Sequence, residues 1–240
     1  MAKQARYKRV LLKISGEALG ASGGTGIDAG ALKYLIGELL PVADIGVQTA
    51  VVVGGGNILR GRHLADNPAI RRTTADYMGM MATVMNALAL QDSLEARGVS
   101  VAVMSAIAMP SVCETWNRRD ALAHLGAGHL VLLAGGTGSP FFTTDTCAAQ
   151  RACELEADVL FKATKVDGVF DRDPMTDPAA KRYDRLTYQK VLADRLGVMD
   201  LTAISLCMQA KIPIVVFKLS EPGRLAEAVA GKPIGTIVTG

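Results

Sequence analysis

The sequence predicts an α/β fold, an open and mostly parallel sheet sandwiched between helices, with a β-hairpin excursion in its second half. Short, almost wholly apolar strands alternate with segments of helical length, a pattern typical of parallel sheets that are covered on both faces. No repeat, low-complexity segment or linker divides the 240 residues. We therefore expect one continuous domain with two lobes, near 1–155 and 156–240.

The first predicted elements are a strand, a helix and a second strand. RVLLKI (9–14) is a short apolar strand, and VQTAVVV (47–53) is a buried one. Between them, residues 28–44 carry leucine and isoleucine at helical spacing. Asp28 precedes this helix and can accept a hydrogen bond from its first turn, as an N-cap does.

The remaining elements continue this alternation. Residues 76–97 are rich in Met, Ala and Leu and end at Gly98, as a helix should. The stretch VDGVFDRDP (166–174) differs, because Asp-Gly between short apolar runs is a strong signal for a tight hairpin turn. The other predicted elements are the strands VSVAVMSA (99–106), HLVLLAG (129–135), DVLFKAT (158–164) and IPIVVFK (212–218) and the helices 117–125 and 145–157.

Composition excludes several classes of protein. Half of the residues are apolar and 5% are aromatic, which suffices for a sizeable aliphatic core. A net charge of +3 falls well short of what a nucleic-acid-binding protein carries. No apolar run approaches the roughly 18 residues of a membrane span, and Lys13 interrupts the run that would serve a secretory signal. We expect a cytoplasmic protein that binds neither nucleic acid nor membrane.

Cysteine and histidine spacing predicts no metal site. No cysteine pair has C-x-x-C spacing, and the histidines form no cluster in the sequence. We expect reduced core thiols and no metal held by protein side chains. The residues concerned are Cys113, Cys147, Cys153, Cys207, His63, His124 and His129.

Glycine, cations and hydroxyl groups follow the predicted strands, at the sheet edge where open α/β proteins bind ligands. Glycine lets backbone N–H groups approach an oxyanion, and Lys13 and Arg60 add full positive charge. One glycine turn alone is usually only a turn, but several that converge indicate a phosphate or nucleotide site. The stretches are KISGE (13–17), GGGNILRGR (54–62), GGTGSPFFTTD (135–145) and the group Lys162, Thr164 and Lys165.

Two common phosphate motifs are missing from the sequence. There is no G-x-x-x-x-G-K-[ST], so an ordinary P-loop enzyme is excluded. GTGSPF (136–141) has Phe141 where the third glycine of a dinucleotide fingerprint belongs, which disfavours a nicotinamide-dependent dehydrogenase.

Taken together, these stretches resemble the bacterial uridylate (UMP) kinases of the amino acid kinase superfamily. The matching segments are LLKISGEAL (11–19), GGGNILRG (54–61), DYMGMMATVMNAL (76–88), GTGSPFFTTD (136–145), ADVLFKATKVDGVFDRDP (157–174) and GVMDLTA (197–203). The resemblance implies phosphoryl transfer from ATP to UMP in pyrimidine nucleotide (CTP) synthesis. It implies Mg²⁺ held mainly by nucleotide phosphates, with the first lobe binding the acceptor and the second the donor nucleotide.

Site residues are implied by the same resemblance, position by position. The catalytic residues would be Lys13, Arg60 and Asp200, with Asp200 orienting the lysine. The ATP-binding residues would be Lys13, Ser15, Gly16, Gly56, Arg60, Thr164, Phe170 and Asp173. The UMP-binding residues would be Gly55, Asp76, Thr137, Gly138, Ser139, Pro140, Phe141, Phe142, Thr143 and Thr144.

Regulation and assembly are implied in the same way. The family is typically hexameric, activated by GTP and inhibited by UTP. The segment GASGGTGID (20–28) matches a loop tied to the GTP effector, which implicates Gly23, Gly24, Thr25 and Gly26.

Several points remain open from the residues alone. Phe141 and Phe142 are adjacent, so we expect one ring to anchor in the sheet edge and the other to line the nucleoside pocket. Asp171 and Asp173 fit either a solvated hairpin or a nucleotide contact. The methionines of 76–88 fit helix core or subunit packing. A relative that phosphorylates carbamate or an amino-acid carboxylate, or a non-catalytic nucleotide sensor, would be the competing functions.

Overall fold

The computed structural model describes residues 6–21, 24–59 and 69–240. Its main sheet has nine strands in the order β4-β3-β5-β2-β1-β6-β10-β11-β9, and neighbours run parallel except for the antiparallel pair β10 and β11. The strands are β1 (Arg9–Ile14), β2 (Gln48–Val53), β3 (Val101–Ser105), β4 (Glu114–Thr115), β5 (Leu130–Ala134), β6 (Val159–Thr164), β9 (Arg185–Thr187), β10 (Ile214–Lys218) and β11 (Thr236–Thr239). Two further strands, β7 (Val169–Phe170) and β8 (Arg182–Tyr183), form a separate antiparallel hairpin.

Helices cover both faces of this sheet. They are α1 (Ala29–Asp44), α2 (Arg72–Glu95), α3 (Arg118–Gly126), α4 (Thr144–Glu154), α5 (Tyr188–Ala193), α6 (Leu201–Ala210) and α7 (Arg224–Val229), and a short 3₁₀ turn lies at Gly16–Leu19. Apolar residues of α1, α2 and α7 pack in one cluster and those of α3 to α6 in another. Within β1, Leu12 belongs to the first cluster and its neighbour Leu11 to the second. Such alternation of buried side chains confirms the predicted sheet between two helical layers.

Helix starts follow from local capping. The Asp28 carboxylate accepts a hydrogen bond from the Ala31 backbone N–H at 2.8 Å, so the predicted N-cap of α1 is confirmed. The Thr143 hydroxyl caps α4, and the Asp200 carboxylate caps α6. Both caps lie at the edge of the sheet where the candidate site residues gather.

The predicted long strands and helices are confirmed, with ends shifted by a few residues. The short strands β4, β9 and β11 and the helices α5 to α7 are not predicted from the sequence. Strands of two or three residues are too short to show a periodicity. β11 pairs antiparallel with β10, which the predicted parallel pattern does not include. Among the described residues, no helix has the length and apolar character needed to cross a membrane.

The hairpin excursion exists, but its predicted turn is wrong. β7 pairs with β8 across residues 171–181, and Asp167-Gly168 precedes β7 instead of closing the hairpin. The Asp167 carboxylate binds the Arg182 guanidinium at 2.5 Å, and Gly168 adopts a φ of +120°. The Asp-Gly pair therefore turns the chain out of β6 and fixes β8 through an ion pair.

Candidate functional site

Glycines at the ends of β1 and β2 let two loops approach each other closely. A Cβ on Gly16 would lie 2.5 Å from the Gly56 backbone nitrogen, and one on Gly54 would lie 2.7 Å from the nitrogen of Gly16. Gly55 faces α2, where a Cβ would lie 2.8 Å from the Gly79 carbonyl oxygen. Gly56 differs, because no described atom lies within 4 Å of its Cβ position. Three of these glycines are needed for packing, and among the described residues none fills the space beside Gly56.

A buried pair of asparagines holds the β2 turn in place. The Asn86 side-chain amide donates to the Gly54 carbonyl at 2.8 Å and to the Asn57 side-chain oxygen at 2.7 Å. Asn57 in turn donates to the Gly26 carbonyl at 2.9 Å. Both amides are almost wholly buried, so an unmade hydrogen bond there would be costly. Sequence reasoning missed both residues, although Asn57 stands within the quoted GGGN motif.

Two lysines and one aspartate form the most charged part of the site. The register of β1 and β6 places Lys13 beside Lys162. Asp145, in the first turn of α4, lies between them. Its two carboxylate oxygens are 2.9 Å from the Lys13 Nζ and 2.8 Å from the Lys162 Nζ. All three side chains are at most 15% exposed, so the pairs are shielded from solvent.

Burial and charge act in opposite directions on this cluster. Burial would raise the pKa of Asp145, but the charges of Lys13 and Lys162 outweigh it and hold that pKa below its ordinary value. Burial lowers the pKa of Lys162, and Asp145 opposes this effect only in part. Lys162 also donates to the Val198 carbonyl at 2.5 Å. Both ammonium groups contact the Asp145 carboxylate, and the charge of Asp200 also opposes the lowering of the Lys162 pKa.

Asp200 lies at the same edge, where it contacts the starts of two helices. Its carboxylate accepts from the Thr146 hydroxyl at 2.8 Å, from the Thr143 hydroxyl and from the backbone N–H of Ala203 at 2.9 Å. The carboxylate in contact with Lys13 is that of Asp145. Asp200 thus joins the start of α6 to the start of α4. An orienting role toward Lys13 stays a prediction.

The loop between β5 and α4 is fixed to α2. Asp76 accepts a hydrogen bond from the Phe141 backbone N–H at 2.9 Å. The Gly135 N–H donates to the Thr83 hydroxyl at 2.8 Å. Within the loop, Thr137 and Ser139 bond each other through the Thr137 hydroxyl. The structure thus brings together Asp76 and the predicted loop 137–144.

The two phenylalanines of this loop do not behave as predicted. Phe141 is 64% exposed and Phe142 is 52% exposed, so neither ring anchors in the sheet edge. Phe141 has a φ of +72°, in the left-handed region that side chains rarely adopt. The bond from its N–H to Asp76 holds this conformation, and the chain turns there with both rings on the surface. The Arg72 guanidinium lies 5.6 Å from the Phe141 ring centre.

Four of the residues predicted to bind ATP lie in two places, a cavity and the β7–β8 hairpin. Ser15 and Thr164 both line a cavity of about 230 Å³. Phe170 lies on β7, and Asp173 accepts from the Met175 N–H at 2.8 Å within the hairpin. A salt bridge of 2.5 Å joins Lys165 to Glu17 beside the cavity. The cavity is lined by Ser15, Glu17, Ala18, Tyr34, Leu35, Ala163, Thr164, Lys165, Leu219 and Ser220.

Asp171 and Asp173 both support the hairpin itself. The Asp171 carboxylate accepts from the Lys181 backbone N–H at 2.8 Å, and the backbone N–H of Asp171 donates to the Lys181 carbonyl. The solvated-hairpin alternative thus explains the contacts of both aspartates.

Some predicted residues lie outside the described part of the chain or next to its gaps. Arg60 and Gly23 are outside it. Gly24 donates to the Ala21 carbonyl at 3.0 Å, and the Gly26 N–H donates to the Asn57 carbonyl at 2.8 Å. The described part of the segment predicted to serve an effector therefore lies directly against the β2 turn.

Two histidines come together although the sequence separates them. The Nδ1 atoms of His124 and His129 are 3.1 Å apart, so the expectation that the histidines form no cluster is wrong for this pair. Over residues 6–21, 24–59 and 69–240, no group of three or more His, Cys, Asp or Glu side chains is placed to hold a metal ion.

Comparison with known proteins gives consistent matches over nearly the whole chain. The model of the amino acid kinase family matches residues 8–218. The UMP kinase structure from Bacillus anthracis has 38% identity and a TM-score of 0.94, over 97% of this chain and 96% of that one. The Ureaplasma parvum UMP kinase has 34% identity and a TM-score of 0.91, over 98% and 100%. The Archaeoglobus fulgidus uridylate kinase has 30% identity and a TM-score of 0.72, over 96% and 99%.

Proposed function

Since the chain belongs to the amino acid kinase family, and within it to the UMP kinases, we propose that it transfers the γ-phosphoryl group of MgATP to UMP, giving UDP and ADP. The observation that carries this proposal is the cluster of Lys13, Lys162 and Asp145 beside the glycine turns. The two ammonium groups both contact the Asp145 carboxylate, and Asp200 acts more weakly on Lys162, so the cluster holds its cations in a shielded place. A phosphoryl group in transfer spreads negative charge over its oxygens, and such a site stabilises that charge.

The proposed acceptor needs no general base. A phosphate monoester has its second pKa near 6, so most of it is already doubly ionised at pH 7 and can attack directly. The protein must then align the two nucleotides and neutralise charge. Lys13 and Arg60 are our candidates for the cations that contact the transferring group. Lys162 and Asp145 fix the position of Lys13 in this scheme.

The parts of the proposed site lie in a consistent order along the sheet edge. Asp76 and the loop 137–144 would hold UMP on one side, since the bond from Phe141 to Asp76 fixes the loop on α2. Ser15 and Thr164, which share a cavity beside the end of β1, would hold ATP on the other. Gly56, whose Cβ position has no described atom within 4 Å, would face the phosphates between them. Mg²⁺ would be carried mainly by the donor phosphates and water and would neutralise their charge.

A coupled assay of ADP release tests the proposal. The purified protein would receive MgATP and, in separate reactions, UMP, CMP, carbamate or acetylglutamate. We expect turnover with UMP at least equal to that with CMP and none with the two carboxylate-type acceptors. Preference for carbamate or acetylglutamate would assign the chain to another branch of the family. Nucleotide binding without ADP release would instead support a sensor.

Assembly and regulation form a separate part of the proposal. Tyr77, Met81 and Met85 recur every four residues on α2 and are 44%, 47% and 54% exposed. Such an apolar stripe favours burial against another copy of the chain, and we propose a homo-oligomer, on family grounds a hexamer. Light scattering during size-exclusion chromatography measures its mass. Met81→Lys should shift the protein to smaller species, and an unchanged mass would remove this stripe from the interface.

We also propose activation by GTP, inhibition by UTP and a role in cytoplasmic pyrimidine nucleotide synthesis. The hydrogen bonds between Gly26 and Asn57 support the first point, because an effector at residues 24–26 would act next to the β2 turn. Rates measured with added GTP or UTP at subsaturating ATP test both responses. Equal rates with and without each nucleotide would contradict them.

A further inference from the structure

A pair of histidines occupies the β4 side of the sheet, on elements that the proposed kinase function does not use. His124 lies in the last turn of α3, and His129 lies between α3 and β5. Their Nδ1 atoms are 3.1 Å apart and their ring centres 5.2 Å apart, with an angle of 31° between the rings. Both residues are partly exposed.

The backbone holds this pair in position. The His129 N–H donates to the His124 carbonyl at 3.0 Å, which closes the loop after α3. Gly128 adopts a φ of +84°, and this left-handed conformation reverses the chain so that His129 returns to His124. The helix end therefore places the two residues close together, and their Nδ1 atoms face each other.

A carboxylate defines which nitrogen of His124 is available. The Glu114 Oε2 on β4 is 3.0 Å from the Nε2 of His124. Because a carboxylate accepts, the Nε2 of His124 carries hydrogen and donates, which leaves the neutral ring with a lone pair on Nδ1. Histidines that bind metals commonly donate their other ring N–H to a carboxylate in this way. In the absence of metal, the Nδ1–H of His129 can donate to that lone pair.

The spacing of the two nitrogens suits a shared metal ion. At Zn–N distances of about 2.0–2.1 Å, two ligands of a tetrahedral ion are about 3.3–3.4 Å apart. Two neighbouring ligands of a square-planar ion at the same bond length are about 2.9 Å apart. The observed 3.1 Å lies between the two values, so shifts of a few tenths of an ångström would fit either geometry.

We propose that His124 and His129 bind one divalent transition metal ion, of the kind that imidazole prefers such as Zn²⁺, Ni²⁺ or Cu²⁺, with Glu114 orienting His124. The ion would replace the hydrogen shared between the two Nδ1 atoms. His129 would lose its Nδ1 proton to solvent and take one up from solvent at Nε2, so that both rings bind as neutral imidazoles. Within the described residues no third protein side chain of this kind joins the pair. Water would fill the other positions, so binding would be reversible and weaker than at a closed structural site.

Isothermal titration of the purified, nucleotide-free chain with NiCl₂ or ZnCl₂ tests this site. We expect one ion bound per chain and no such binding by His124→Gln or His129→Gln, which keep a polar side chain. Glu114→Gln should weaken binding by about 10–100-fold, as loss of an orienting carboxylate does. Matched controls are His63→Gln, which keeps both proposed ligands, and Cys113→Ser, which tests whether a nearby thiol binds the ion instead.

Three results of this titration would overturn the proposed metal site. Absence of binding by the unmodified chain, or equal binding by His129→Gln, overturns the proposal. Loss of binding in Cys113→Ser or His63→Gln with both proposed ligands intact does so as well. The readout is the binding isotherm, so it does not depend on kinase activity. We expect all these variants to retain ADP release with UMP, and circular dichroism confirms that each is folded.

Discussion

Replacing Asp145 with asparagine removes the carboxylate that separates Lys13 from Lys162. Its oxygens are 2.9 and 2.8 Å from the two ammonium groups, and its side chain is 15% exposed. Two ammonium groups on opposite sides of one carboxylate lie about 5–8 Å apart, and at an effective dielectric constant near 20 their repulsion is about 2–3 kcal/mol. The isosteric amide keeps the shape of the site and leaves that repulsion uncompensated.

We expect Asp145→Asn to lower kcat by about 30–150-fold, which is about 2–3 kcal/mol at about 1.4 kcal/mol per factor of ten. The pH profile should change as well. Burial already lowers the pKa of Lys162, and loss of Asp145 lowers that pKa further. Since the charged lysine is the active form, activity is lost as pH rises through this pKa. The alkaline limb of the profile should therefore move to lower pH in the variant.

The assay is ADP release at saturating MgATP and UMP between pH 6 and about 10. Glu156→Gln serves as the matched control, because Glu156 is 72% exposed and pairs with Arg118 away from the cluster. A kcat and a pH profile of Asp145→Asn equal to those of the unmodified enzyme would refute the reasoning. Unfolding by urea at each pH separates loss of activity from loss of structure.

Three further predictions concern neighbouring parts of the site. Lys13→Ala should lower kcat strongly with only a modest change in the dissociation constant of UMP, and an unchanged kcat would remove Lys13 from catalysis. Asp76→Asn weakens a charge-assisted hydrogen bond worth about 1.5–3 kcal/mol, so KM for UMP should rise about 10–100-fold while KM for ATP stays within about twofold. Gly16→Ala places a methyl group 2.5 Å from a backbone nitrogen and should cost about 1–3 kcal/mol of unfolding free energy. Gly37→Ala, a helical site with open space, should not destabilise the chain, and equal denaturation midpoints for these two variants would contradict the packing argument.

The long apolar strands and amphipathic helices could be predicted because burial imposes a period on the sequence. β4 and the hairpin partner β8 have two residues each, and their pairing depends on contacts distant in sequence. The Asp-Gly pair predicts a turn between two strands, whereas in the structure it precedes β7 and Asp167 forms an ion pair with Arg182. Local sequence patterns thus predict the strands and helices that form the core. They do not predict a turn whose conformation depends on contacts with residues distant in sequence.

The sequence predicts which strand ends carry the candidate site, but not which side chains contact one another there. Lys13 stands at the end of an apolar strand, but its pairing with Lys162 follows from the register of β1 and β6, which no local pattern fixes. The contacts of Asp145 with both lysines depend on the same register, so the sequence alone does not show them. The same limit applies to Phe141, whose exposure depends on a hydrogen bond to Asp76 on another element.

Helix α2 has a consequence for how the two proposed substrates are aligned. This one helix contacts both neighbouring loops. Asp76 binds the loop after β5, Thr83 binds the start of that loop, and Asn86 binds the turn after β2. From Asp76 to Asn86 the rise is about 15 Å at 1.5 Å per residue. The helix therefore fixes the distance between the loop proposed to hold UMP and the turn after β2. Inserting one residue between them would rotate one anchor by about 100° against the other. Such an insertion should abolish transfer while each nucleotide still binds, because only the spacing between them would be lost.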